Sequence, residues 1–136
     1  MKRVSLGLAA VIVVLGLTAV SAQKPTTPST IVLNPPPEGQ LDSWPAIGDW
    51  VGFTASFAKQ LESKNIRVQV LCYQGGELVY GMAGSYDTQF QLGGGMSQWY
   101  LNGGPASCVA DLYYWSYNRG QRFNWLASTN FEAFGR

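Results

Sequence analysis

The sequence predicts an all-β domain, an antiparallel β-sandwich of about seven short strands. Three observations predict it. Apolar and polar residues alternate with a period of two in several segments, most cleanly from Ile66 to Tyr73, the pattern of a strand with one buried face. Turn residues, above all Gly, punctuate the chain about every 8–12 residues, the spacing of a small sandwich. All five Trp, seven Tyr and six Phe lie after residue 43, and aromatic side chains suit pleated, half-buried surfaces. No segment carries the period of an amphipathic helix.

The first element is not part of that domain. Lys2 and Arg3 precede an uncharged run, Val4 to Val20, that is apolar apart from Ser5 and Thr18. Val20-Ser21-Ala22 then places small residues where a signal peptidase needs them, so residues 1–22 read as a signal peptide cut after Ala22. The alternative is an uncleaved anchor, because the run sits at the lower limit of about 17 residues for a spanning helix. Gln23, not Cys, follows the cut, which argues against lipidation. The expected location is secreted or extracytoplasmic, in a periplasm or on a cell surface; a membrane contact is expected only if the segment stays uncleaved.

Removing residues 1–22 from the 136 leaves 114, about one ordinary domain. The formal charge of +1 falls to −1 once Lys2 and Arg3 are gone. Nucleic-acid binding needs clustered Lys and Arg to displace counterions, and no basic block is present, so no nucleic-acid partner is expected. Cys72 and Cys108 are the two cysteines. In an oxidising compartment such a pair is expected to bridge; two free thiols or a metal pair are the alternatives. With no His and no further Cys, zinc has almost no ligands left.

Residues 23–44 are rich in Pro and Thr, with three prolines at 35–37. Such a stretch favours extended, polyproline-like backbone and reads as a spacer, in which Ile31-Val32-Leu33 can dock as a short edge strand. The sandwich domain is assigned to 45–136. Trp50 to Ala58 alternates, with Val51, Phe53, Ala55 and Phe57 on one face. Residues 59–65 read as a loop with room for one helical turn. In the next strand Ile66, Val68, Val70 and Cys72 face one way, and Arg67, Gln69, Leu71 and Tyr73 the other. Gln74-Gly75-Gly76-Glu77 is a tight hairpin turn, and Leu78 to Met82 returns. A turn at 84–88, a strand at 89–92, a break at Gly93–Gly95 and a strand at Ser97–Leu101 follow. Ala106 to Tyr117 reads as the longest strand and pairs, through a turn at 118–121, with Phe123 to Phe131.

WVGFTASF, the IRVQVLCYQ–GG–ELVYG hairpin, FQL, SQWYL and GGPASCVADLYYW together resemble the later strands of immunoglobulin-like β-sandwich domains over residues 45–134. The last segments also resemble small secreted bacterial or phage-encoded proteins. The resemblance implies an immunoglobulin-like fold and a bias toward binding, and no functional residue carries over. Two departures stand out. Ala106 occupies the position of the tyrosine two residues before the second cysteine. Cys72 lies on a strand that turns straight back, so its bridge is expected to join neighbouring strands of one sheet rather than the two sheets.

Catalysis is not expected. Most acids fall in loops or turns. Asp111 stands alone in mid-strand, where a hydrogen-bonded or solvent-facing role is the ordinary one, while glycoside hydrolysis needs facing carboxylates. Nucleophilic catalysis wants a nearby base, and the chain has no His. Gly93–Gly95 lacks the Lys-Ser/Thr of a phosphate loop. Calcium stays open to loop acids, although no DxDxDG-like run is present; no metal or cofactor is assigned. The candidate binding surface is Tyr113, Trp115 and Tyr117, on the face opposite Cys108. Such a stripe suits a protein interface or stacks on sugar rings. Alternatively, cross-strand neighbours such as Tyr73 and Trp125 cover it as an aromatic ladder. The expected function is therefore a secreted or surface-displayed binding domain for a protein partner. A carbohydrate-binding module is the alternative, and a small carboxylate hydrolase comes third.

N-terminal sequencing of the exported protein should begin at Gln23; a start at Met1 or Lys2 would establish the anchor instead.

Overall fold

The computed structural model describes residues 27–40, 42–95 and 97–135. The expected signal peptide, residues 1–22, and the first residues of the expected spacer lie outside them. Among the described residues no helix is long and apolar enough to cross a membrane. Eight strands are present: β1 (Thr30–Leu33), β2 (Trp50–Val51), β3 (Phe53–Ser56), β4 (Arg67–Gln74), β5 (Glu77–Ser85), β6 (Phe90–Gln91), β7 (Ala106–Ser116) and β8 (Arg122–Ala133). One short helix, α1 (Trp99–Asn102), and a 3-10 turn at Lys59–Leu61 complete the secondary structure of the described residues. The protein is all-β with antiparallel sheets, as the sequence predicts.

β4, β5, β7 and β8 form one antiparallel sheet in the order β5-β4-β7-β8. Its inner face follows from the alternation in β4: Ile66, Val68, Val70 and Cys72 are all buried, while Arg67, Gln69, Leu71 and Tyr73 stand half-buried on the other side. The β4–β5 turn works because Gly75 (φ 56°) and Gly76 (φ 86°) both occupy the left-handed region, the requirement of a two-residue hairpin that matches strand twist. β2 and β3 are one run broken at Gly52, where the expected single strand 50–58 changes partner. Val51 pairs with Phe90 of β6, and Phe53 pairs with Leu33 of β1. Between them the Gly52 carbonyl accepts the Asn34 N–H at 3.0 Å. Ile31, Val51, Phe53 and Phe90 share one buried cluster with the inner face of the four-stranded sheet. Phe53 sits 6.3 Å from Phe90 and 6.0 Å from Phe131, ring to ring. Apolar burial of this kind is worth about 25 cal/mol per Å² and carries the fold.

Cys72 and Cys108 are directly opposed across β4 and β7 and form a disulfide, with S–S 2.04 Å and Cα–Cα 4.0 Å. The bridge thus joins neighbouring strands within one sheet, as the position of Cys72 suggested, and it lies in the core.

Two expectations are corrected. Ser97–Leu101 does not form a strand. Trp99 is fully buried, its indole N–H donates to the Gly104 carbonyl at 2.8 Å, and its backbone N–H donates to Ser97 Oγ. Filling the core with one large side chain overrides the β preference of an aromatic-rich segment, and Gly103 at φ 64° ends the helical turn. The longest strand is β8, at 12 residues against 11 for β7. The docking strand allowed for Ile31-Val32-Leu33 is present as β1, so part of the Pro/Thr stretch folds into the domain.

Each outer pairing carries one extra residue. β5 bulges opposite Cys72 and Tyr73, and β8 bulges opposite Leu112 and Tyr113. In β8 the extra residue is Leu126: Leu112 pairs with Ala127 and Tyr113 with Trp125. Since side chains alternate faces, one extra residue reverses the facing of everything beyond it. Ala127 and Phe131 therefore pack inward, while Trp125 and Phe123 turn outward.

The loop closed by the bridge is about 37 residues, so a Cys72→Ala/Cys108→Ala variant should lose roughly 3–4 kcal/mol of stability on the chain-entropy account. Chemical denaturation with both proteins intact measures this, and mass spectrometry should find no free thiol in the wild type.

Candidate binding face

The outer face of the four-stranded sheet is built from Arg67 and Gln69 of β4, Asp111, Tyr113 and Trp115 of β7, and Phe123 and Trp125 of β8. Register brings them together: Tyr113 stands between Arg67 and Trp125, Asp111 between Gln69 and Ser128, and Trp115 opposite Phe123. The rings of Tyr113 and Phe123 stack at 4.8 Å and 26°. Trp115 meets both edge-on, at 5.2 Å from Phe123 and 6.2 Å from Tyr113. Edge-to-face and offset-stacked pairs of this kind add about 0.5–1.5 kcal/mol beyond area burial.

The three predicted surface residues end in three environments. Tyr113 is only 4% exposed although it faces away from the core, because Phe123 and Trp115 lie over it. Its hydroxyl accepts from Arg67 Nε at 3.4 Å. Trp115 is half-buried, and Tyr117, beyond the end of β7, is 69% exposed. Of the two expected cross-strand neighbours, Trp125 pairs with Tyr113, whereas Tyr73 pairs with Ser107 at the far end of β4. Asp111 accepts a hydrogen bond from Gln69 Nε2 at 3.2 Å, which gives the mid-strand acid a neutral partner.

Sequence reasoning did not single out Phe123 and Trp125 as surface aromatics, because the bulge at Leu126 that turns them outward has no signature in residue order. Trp125 is 57% exposed, with its indole N–H donating to Ser128 Oγ at 3.1 Å; Phe123 is 39% exposed. It also missed a polar hollow of about 550 Å³ beside the β7–β8 turn, lined by Lys64, Ser116, Asn118, Arg119, Arg122 and Asn124. Lys64 comes from the loop before β4, and only the fold brings it to the two arginines. Asn124 Nδ2 braces this hollow by donating to the Tyr114 and Arg122 carbonyls and to Ser116 Oγ.

A second, more apolar hollow of about 250 Å³ lies along β5 and β6, between Trp50, Tyr80, Met82 and Phe90. Tyr80 is 3% exposed, and its buried hydroxyl has no hydrogen-bond partner. Burial pushes its pKa from 10.0 up to about 12, since a phenolate there would lose its hydration. Among the described residues no group of three or more His, Cys, Asp or Glu is placed to hold a metal ion.

Comparison with known proteins found no matching protein family, no matching curated protein and no matching solved structure.

Tyr80 holds its proton more tightly folded than unfolded. Its contribution to stability is therefore complete below pH 10 and lost as pH rises through about 12. Tyr80→Phe removes a hydroxyl without a partner, so its stability at neutral pH should lie within about 1 kcal/mol of wild type or above it. Denaturation midpoints measured across this alkaline range should fall less in the variant than in wild type.

Proposed function

We propose that the chain is an exported, non-catalytic binding domain with an immunoglobulin-like β-sandwich fold, and that it recognises a protein partner through the outer face of the β7–β8 hairpin. The observation that carries this reading is the exposure of Trp125, Phe123 and Tyr117 around the buried Tyr113. Exposed aromatics on a rigid base supply large contact area at low entropic cost, which is why Tyr and Trp are enriched where interfaces gain most energy.

Two features favour protein over carbohydrate. The rings are tilted, with Trp115 at 72° to Phe123 and 86° to Tyr113, so they do not form the flat platform that a sugar ring stacks on. The hairpin also ends on β8, an edge strand, and strand edges pair with polypeptide. The acids support a binding role over hydrolysis, since Asp111 is engaged by Gln69 and has no facing carboxylate in the register of its strand. The intrasheet disulfide is compatible with an oxidising, extracytoplasmic setting.

A photo-crosslinking amino acid placed at Trp125 or Tyr117 should form protein adducts in the extracytoplasmic fraction of the source cell, and one at Glu77 should not. No adduct at either site, together with glycan-array binding that Trp125→Ala abolishes, would move the assignment to a carbohydrate-binding module.

A further inference from the structure

The described residues contain five cations, Lys59, Lys64, Arg67, Arg119 and Arg122. All five lie at one end of the four-stranded sheet. Register shows this: Arg67 begins β4 opposite Ser85 and Tyr113, and Arg122 begins β8 opposite Ser116. Lys59 and Lys64 lie in the connection leading into β4, which Phe57 holds at that end by an edge-on contact with Tyr86 at 5.3 Å. Glu62, between Lys59 and Lys64, and Asp87, which accepts from Ser85 Oγ, share that end, while Glu77 and Glu132 mark the opposite one, beside Gln74 and Ser107. Lys64, Arg119 and Arg122 meet around the polar hollow with no ion-pair partner among the described residues.

β8 begins in that hollow and forms an edge of the four-stranded sheet, with β1 packed close against part of it. Among the described residues its ladder partner is β7 alone. Beyond that ladder, the described backbone bonds at its end of the chain are those of Phe134 with Pro45 and Ile47. The strand's own alternation then sets two chemistries on its two faces. Arg122 and Asn124 face the cationic hollow, and Phe123 and Trp125 face the aromatic cluster.

Resting on the protein-binding reading above, we infer that the partner contributes an extended segment of alternating acidic and apolar residues. It adds as a strand to the edge of β8. A strand laid there places successive side chains on opposite faces. Its carboxylates meet the Arg119 and Arg122 guanidinium forks and the Lys64 ammonium through charge-assisted hydrogen bonds, and its apolar side chains meet Phe123 and Trp125. Backbone pairing supplies the alignment that puts each set on its own side.

Fluorescence anisotropy tests this with a labelled peptide of about ten alternating Glu and Val residues. The peptide should bind, and replacing its Glu by Gln should weaken binding at least about tenfold, as loss of charge-assisted contacts requires. Lys64→Gln/Arg119→Gln/Arg122→Gln should do the same; all three side chains are exposed, so the fold should stand. Raising salt from about 0.05 to about 0.5 M should also weaken binding, because the screening length shrinks. A central Pro in the peptide should abolish it by removing strand pairing. Equal binding of the Glu and Gln peptides, or of the Pro-containing peptide, overturns the inference. So does displacement of the peptide by oligogalacturonate or by phosphatidylglycerol vesicles when Pro has no effect, since the ligand is then an acidic glycan or a membrane surface. The crosslink at Trp125 separates the two levels. A captured partner whose yield is unchanged in the triple variant removes the acidic segment and leaves the protein-binding reading standing, whereas absence of any adduct removes both.

Discussion

The opposition of Cys72 and Cys108 is the constraint on which the rest of the sheet depends. β4 and β7 are its two central strands, and the bridge joins the one residue of each that lies directly across from the other. A slip of β4 by one residue against β7 would send Val68 and Val70 to the solvent side and bring Arg67 and Gln69 into the core. Two cysteines cannot bond in that slipped register, because their side chains would then lie out of line. The covalent link therefore selects a facing as well as closing a loop. The Gln69–Asp111 and Arg67–Tyr113 contacts on the outer face follow from the same register.

The outer strands are less constrained, and both depart from a regular ladder. β5 bulges next to the bridge, so that Val79 and Tyr80 are both buried. The buried phenol of Tyr80 is the cost of filling that corner with a ring, since an unpaired hydroxyl loses its water without gaining a partner. β8 bulges farther along, and the result is a surface cluster instead of a core one. Tyr113 is the hinge between these two outcomes: its backbone belongs to the central pair, while its ring forms the floor of the aromatic face. A floor that is itself buried and hydrogen-bonded keeps Trp115 and Phe123 in fixed orientations, which lowers the ordering cost of any contact they make.

What residue order reveals here is whatever depends on one strand at a time. The alternation of β4, the Gln74–Glu77 turn and the pairing of the cysteines are all local or compositional, and they were legible. Gly52 could not announce that β2 and β3 change partners, because the switch depends on where Asn34 arrives. SQWYL carries the composition of a strand, and only the volume waiting for Trp99 makes it a helical turn. The candidate site was legible in part. Tyr113, Trp115 and Tyr117 belong to the right hairpin, but their burial is set by Phe123, whose facing is fixed by Leu126 in another strand. The cationic end was invisible for a similar reason. Beyond residue 22, seven basic and eight acidic side chains read as near-neutrality, and the cationic hollow arises only when Lys64 is folded beside Arg119 and Arg122.

Leu126 has a further consequence for how such a surface arises. In a strand, facing is a parity, and a parity changes by whole residues. Loss of Leu126 would nevertheless leave the facing of Phe123 and Trp125 intact, because Trp125 would then adjoin Ala127 directly and still pair with Tyr113, as Phe123 would with Trp115. The aromatic face is thus set by pairing with β7, and the bulge absorbs one residue of length without changing which side chains the face presents. A change of one residue in length at Leu126 can therefore be taken up locally, with neither the aromatic face nor the domain rebuilt.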